Sequence, residues 1–211
     1  MARKKGKHRR SREVKARNYR ERRFDSQDIN QKFLIVCEGA KTEPNYFSSF
    51  QGPKLIVDAT GHGVTPRQLV DIALDLGKQD NYDQLWCVFD RDDWTADDFT
   101  GGMQRAESQG LRVAYSNQAF ELWYLLHFHY YDTSMPRSDY IEKLNELLPA
   151  PYRKNDTEIY NQLLWRQATA VANAENLLRQ YSPPDPANDD PSTTVHLLVL
   201  ELNRFLPETR A

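Results

Sequence analysis

The chain has 211 residues, of which 39% are hydrophobic and 27% charged. That is the composition of an ordinary globular protein with enough chain to bury a core. No run approaches the ~18 apolar residues of a membrane span, and no apolar leader opens the sequence, so a cytoplasmic protein without a membrane partner is expected. The net charge of −2 hides an asymmetry. Residues 1–23 hold 12 Lys/Arg against 2 Asp/Glu, a net of +10, and the rest holds 16 against 28, a net of −12. A basic arm on an acidic body points to a partner that carries phosphates.

In chain order, residues 1–30 lack apolar periodicity and read as a basic tail, disordered or loosely helical. Arg9, Arg10, Arg12, Lys15 and Arg17 are its candidate nucleic-acid contacts. FLIVC (33–37) is a continuous apolar run, as in a strand buried on both faces of a parallel sheet, and it ends in Glu38-Gly39. Thr42 is placed to cap a short helix to about Phe50. KLIVDAT (54–60) reads as a second strand, and Thr65-Pro66 as a helix start. LWCVFD (85–90) is a third strand, a polar helix or long loop fills 95–109, and LRVAYS (111–116) is a fourth strand. Beyond it lie an apolar helix (120–131), a helix capped by Ser138 and stopped at Pro149, a long helix from Thr157 to Tyr181, and another over 192–206. The alternation predicts an α/β fold: an open, mainly parallel four-stranded sheet with flanking helices and a helical C-terminal half. The domain reading is a tail (1–30), an α/β core (31–131) and a helical elaboration packed on it (132–211).

Ligands of such sheets bind beyond the carboxyl ends of the strands. Two strands end there in acids. Residues two apart in an extended segment face one side, so Asp90 and Asp92 stand together. Their repulsion is relieved by a divalent cation, and Mg²⁺ takes a few carboxylates plus water and phosphate oxygens. A calcium loop starting at Asp90 fails, because its sixth and twelfth positions would be Thr95 and Gly101. Should the first and third strands be neighbours, Glu38 joins the pair. Cys37 and Cys87 lack metal spacing and read as buried strand residues.

LIVCEG (34–39) followed by VFDRDD (88–93) resembles the Toprim signature, a Glu after the first strand and an Asp-x-Asp after the third. The closer resemblance is to the RloB-like family. It rests on VCEGAKTEPNYF (36–47), FDRDD (89–93), SNQAFELWYLLHF (116–128), a Tyr-x-Lys segment (152–154) and PSTTVHLLV (191–199), and spans roughly residues 33–206. Toprim domains occur in primases, topoisomerases and nucleases and use Mg²⁺. RloB-like proteins are associated with restriction-modification and phage-defence loci, sometimes beside an ATPase. The resemblance implies a Mg²⁺-dependent nuclease, with Mn²⁺ as the substitute ion, acting on DNA or RNA. Glu38, Asp90 and Asp92 would be its catalytic and metal residues, with Glu38 as ligand or as general base.

Secondary candidates surround them. Asp93 adds charge beside the pair. Glu43 and Glu121 sit in first turns of helices, either as further acids of the site or as plain helix-start residues. Lys41 and His62 either meet a phosphate or are solvated loop residues. Arg153 and Lys154 either bind a nucleic-acid backbone or are ordinary surface charge. His127, His129 and His196 read as structural. Trp94 is either an exposed stacking residue or a lid over the metal loop. Two other readings stand beside the nuclease: a non-catalytic nucleic-acid-binding partner of an ATPase, and a haloacid-dehalogenase-like phosphatase with Asp90 as nucleophile.

Overall fold

The computed structural model describes residues 30–207. The basic tail with Arg9, Arg10, Arg12, Lys15 and Arg17 lies outside the described residues, as do residues 208–211. The expected apolar runs form the strands β1 (Gln31–Cys37), β2 (Leu55–Gly61), β3 (Gln84–Asp90) and β4 (Arg112–Asn117). Helix α1 (Thr42–Ser48) follows β1, α2 (Pro66–Gly77) follows β2, and α3 (Ala96–Ser108) follows β3. Thr65 caps α2 through a capping box with Gln68, and Thr95 caps α3 by accepting from the Asp98 backbone N–H. Thr42 is the first helical residue of α1 rather than its cap.

The strand order is β2-β1-β3-β4-β5, with the first four parallel. The fold is the expected mainly parallel α/β architecture. It gains a fifth strand, β5 (Ser192–Thr193), antiparallel to β4. The chain runs outward from β1 to β2, then returns to the other side of β1 as β3. The switch point of the sheet therefore lies between the ends of β1 and β3, where an α/β sheet opens its ligand crevice.

Alternation along the strands divides the core. Leu34, Val36, Cys87 and Phe89 pack with Leu69, Val70 and Ala73 of α2 and with Phe99 and Ala106 of α3. Phe33, Ile35, Trp86 and Val88 face the larger layer, with Tyr46 and Phe47 of α1 and most of the C-terminal half. Cys37 and Cys87 are buried free thiols. That half comprises α4 (Glu121–Leu126), α5 (Arg137–Leu147), α6 (Ile159–Leu163), a 3-10 turn (Leu164–Arg166), α7 (Gln167–Leu178) and α8 (Val195–Asn203). The apolar cluster takes residues from both sides of residue 131, so sheet and elaboration share one core.

Several helices of the C-terminal half differ from the sequence reading. The apolar helix 120–131 stops at Leu126, the long helix from Thr157 is broken by the 3-10 turn, and Ser192 enters a strand before α8 begins. Periodicity continues through each break, because burial on both sides of a turn looks the same as burial along a helix. Arg137, one residue before the expected cap Ser138, opens α5, with Pro136 ahead of it. Among the described residues no helix is long and apolar enough to cross a membrane.

Candidate functional site

The first acid is placed by the parallel pairing of β1 and β3, in which Cys37 lies beside Val88. Glu38 continues the ladder, its N–H donating to the Val88 carbonyl at 3.0 Å. Its side chain turns across the crevice, where Oε2 lies 3.4 Å from the Asp90 backbone N–H. The loop after it is tight for a steric reason. A Cβ at Gly39 would run into the Glu43 carboxylate, and one at Gly61 into the backbone of Gly39 and Ala40. Gly39 instead donates its N–H to Glu43 Oε1 at 2.9 Å, which draws Glu43 beneath the same loop.

Asp90 ends β3 and is buried. The ladder to β4 persists one step further: Arg91 N–H donates to the Ser116 carbonyl and Asp92 N–H to the Gln118 carbonyl, both at 2.9 Å. At Asp92 the backbone then turns left-handed, with φ +36°. Aspartate tolerates that region better than most residues. The turn carries the Asp92 carboxylate back toward Asp90, so the two share one partner. Arg137 donates from Nη2 to Asp90 Oδ2 at 3.1 Å and from Nη1 to Asp92 Oδ2 at 2.7 Å.

A cleft of about 400 Å³ collects Glu38, Glu43, Asp90, Asp92 and Glu121, together with Lys41, Arg137, Lys154 and Trp94. Glu121 is buried at the start of α4 and accepts from the Tyr152 hydroxyl at 3.0 Å. The Tyr-x-Lys segment thus reaches the cleft, with Tyr152 anchored on Glu121 and Lys154 in the lining. Of the other candidates, Asp93 is exposed outside the cleft, Arg153 is exposed and absent from its lining, and His62 lies on a neighbouring groove beside Thr60. His127 is buried, its Nδ1 bonded to the Trp123 carbonyl, and His196 is buried in the core.

Burial dominates the electrostatics. It pushes the Glu38 carboxyl up to about 7, against the hydrogen bond from Trp94, which pulls the other way. Asp90 is raised well above the usual carboxylate range, first by burial and then by Glu43 and Glu121. Glu43 is raised for the same first reason. Asp90 Oδ1 is buried without a hydrogen-bond partner. The cleft thus buries several carboxylates and leaves one oxygen unmatched, a cost that a bound cation would relieve.

The donors suit a small hard ion, since all are carboxylate oxygens. Among the described residues, however, no three His, Cys, Asp or Glu side chains are grouped as a ready-made metal site. The acids have protein partners instead: Arg137 holds Asp90 and Asp92, and the Trp94 indole N–H donates to Glu38 Oε1.

Trp94 is therefore half-buried in the lining of the cleft and bonded to an acid of the site. Sequence reasoning missed Arg137 altogether. Its one signal is a cation in the first turn of a helix, where the dipole disfavours it unless an anion lies opposite. For the phosphatase reading, the next strand offers no acid pair among the described residues, since β4 ends in Ser116-Asn117.

Comparison with curated proteins and with solved structures finds no match. The model of the family described as RloB-like protein matches residues 33–202, from the first strand to the last helix, and the chain belongs to that RloB-like family.

Proposed function

We propose that this chain is a Mg²⁺-dependent nucleic-acid phosphodiesterase of the Toprim type, an effector in anti-phage defence. The observation that carries the reading is the meeting of Glu38, Asp90 and Asp92 in one cleft at the switch point of the sheet, with Asp90 Oδ1 buried and unmatched. Asp90 and Asp92 are the residues that would hold the ion, with Glu38 beside them. Bound there, Mg²⁺ would supply positive charge to the scissile phosphate and to the leaving oxygen.

The chain's own residues supply the rest. Glu38, with its carboxyl near 7, is matched to taking a proton from an attacking water at neutral pH. The water oxygen bonds to phosphorus, its proton passes to the Glu38 carboxylate, and one P–O ester bond breaks, its electron pair leaving with the ester oxygen, which takes a proton from solvent. Lys154 and Lys41 on the rim meet the flanking phosphates. The buried Tyr152 hydroxyl fixes Glu121, keeping that acid from drifting into the centre.

The test is incubation with DNA, RNA and tRNA pools across Mg²⁺ and Mn²⁺, comparing wild type with Asp90→Ala. Metal-dependent cleavage that falls at least about a hundredfold in the variant is expected. Undiminished cleavage by Asp90→Ala, or none by wild type with either metal, overturns the reading. A second reading draws on the two ion pairs of Arg137, which fill the centre with a protein cation. It makes the chain a nucleic-acid-binding partner of an ATPase, and predicts binding that survives Asp90→Ala with no cleavage.

A further inference from the structure

Arg137 is the one cationic side chain ion-paired to the acids of this cleft among the described residues, and it comes from outside the sheet. Its helix is fixed to the protein through the fully buried Tyr140 and Leu144, so the guanidinium is delivered by the C-terminal half to acids presented by β3. The contact is incomplete. The two Nη atoms reach one oxygen each of Asp90 and Asp92, while Nε is buried with no partner and so is Asp90 Oδ1. An Arg–carboxylate pair is frequently bidentate, with two parallel bonds from the planar fork to one carboxylate. Here it straddles both, spans the gap between them, and leaves a donor and an acceptor buried and unmatched. Each such group is buried without the hydrogen bond that would offset its loss of water. A divalent ion held by both Asp90 and Asp92 would have to lie between the two carboxylates that the guanidinium now spans.

We propose that Arg137 is a built-in counter-ion that occupies the place of the divalent cation and must be displaced from Asp90 and Asp92 before the ion can bind. It is a positioning residue: it acts through the two aspartates and sets the ion concentration at which the cleft loads. Without it, the buried carboxylates would repel one another in the metal-free protein. With it, the fold tolerates them, at the expense of weaker ion binding. The inference rests on the proposed function only in that the ion binds at Asp90 and Asp92.

The experiment is calorimetric titration of MnCl₂ into the full chain at pH 8, for wild type, Arg137→Met, Arg137→Lys and Asp90→Asn, with circular dichroism to verify folding. Arg137→Met is expected to bind Mn²⁺ at least about tenfold more tightly than wild type, because two ion pairs no longer have to be broken. Arg137→Lys is expected to fall between the two, since an ammonium lacks the fork that spans both acids, and it serves as the readout should Arg137→Met not fold. A structural role alone would weaken Mn²⁺ binding in both variants. Unchanged or weaker affinity in a folded Arg137 variant overturns the proposal while leaving the metal site standing, provided Asp90→Asn abolishes binding. Absence of Mn²⁺ binding in wild type and in both Arg137 variants sinks this proposal and the metal reading together. Binding that persists in Asp90→Asn places the ion elsewhere, and also overturns it.

Discussion

Helix α1 touches two regions built on opposite terms. Its Glu43 lies in the acidic cleft, while Tyr46 and Phe47, one turn on, enter an aromatic cluster with Phe50, Phe120, Tyr124 and Tyr160. In the cluster the ring centroids lie 4.6–6.3 Å apart, and apart from the tilted pairs Tyr46–Tyr124 and Phe47–Phe50 the rings meet edge to face, an arrangement that rings favour. In the cleft, like charges are buried together, and among the described residues Arg137 is the cation paired with two of them, Asp90 and Asp92. The cluster stabilises the fold, and the cleft spends part of that stability to keep reactive groups dry. Substitutions should therefore act in opposite directions in the two regions.

The largest expected effect lies in the cluster. Phe120→Ala removes a fully buried ring and should cost about 3–5 kcal/mol, read as a lower denaturation midpoint. A loss below about 1 kcal/mol would break the comparison. Next come two pH limbs of opposite sign. Burial holds the His127 imidazole down to about 4, against 6.5 in the ordinary state. Its contribution is intact above pH 6.5 and is lost as pH falls toward 4, on the order of 3 kcal/mol. Glu38 behaves the other way, raised from 4.5 to about 7. In the metal-free protein its contribution is intact below pH 4.5 and is lost as pH rises through 7, about 1–3 kcal/mol. Thermal melts in chelator from pH 4 to 9 should show both limbs, with His127→Gln flattening the acid one and Glu38→Gln the alkaline one. Glu38→Gln should also leave the metal-free chain at least as stable as wild type at pH 8, where a loss would place Glu38 among the stabilising residues.

Smaller effects sharpen the contrast. Gly39→Ala must push the Glu43 carboxylate aside, and so should lower cleavage by about tenfold while moving stability by about 1 kcal/mol or less. Trp94→Phe removes the indole N–H that holds Glu38 Oε1, worth about 1 kcal/mol. Because that bond pulls the Glu38 carboxyl down, its loss should raise the pH at which the carboxyl titrates, measurable by carbon NMR. A downward move would mean that burial is not what controls Glu38.

The strands were legible because burial on both faces writes continuous apolar runs such as FLIVC and LWCVFD, and a parallel sheet needs little else. Glu38, Asp90 and Asp92 were legible because each ends or follows such a run. Arg137 was not. Its role depends on where α5 returns to the sheet, 45 residues beyond Asp92 along the chain, and no local pattern encodes that return. His62 shows the converse: a glycine-flanked turn near a helix start looks like a phosphate site, yet the chain carries it to the neighbouring groove. The pair Ser192–Thr193 was hidden for a third reason, since two residues of strand are too short to show alternation.

That last pair bears on how the protein is made. The outer edge of β4 is covered at its C-terminal end by hydrogen bonds to residues 75 to 79 positions later, with Ser116 and Thr193 also joined through their hydroxyls at 3.1 Å. During synthesis, the growing chain must therefore wait through most of its helical half before that edge finds its partner, and until then it is open to pairing with another nascent copy. Chains interrupted before Ser192 should accumulate as insoluble aggregates, whereas full-length chains remain in the supernatant.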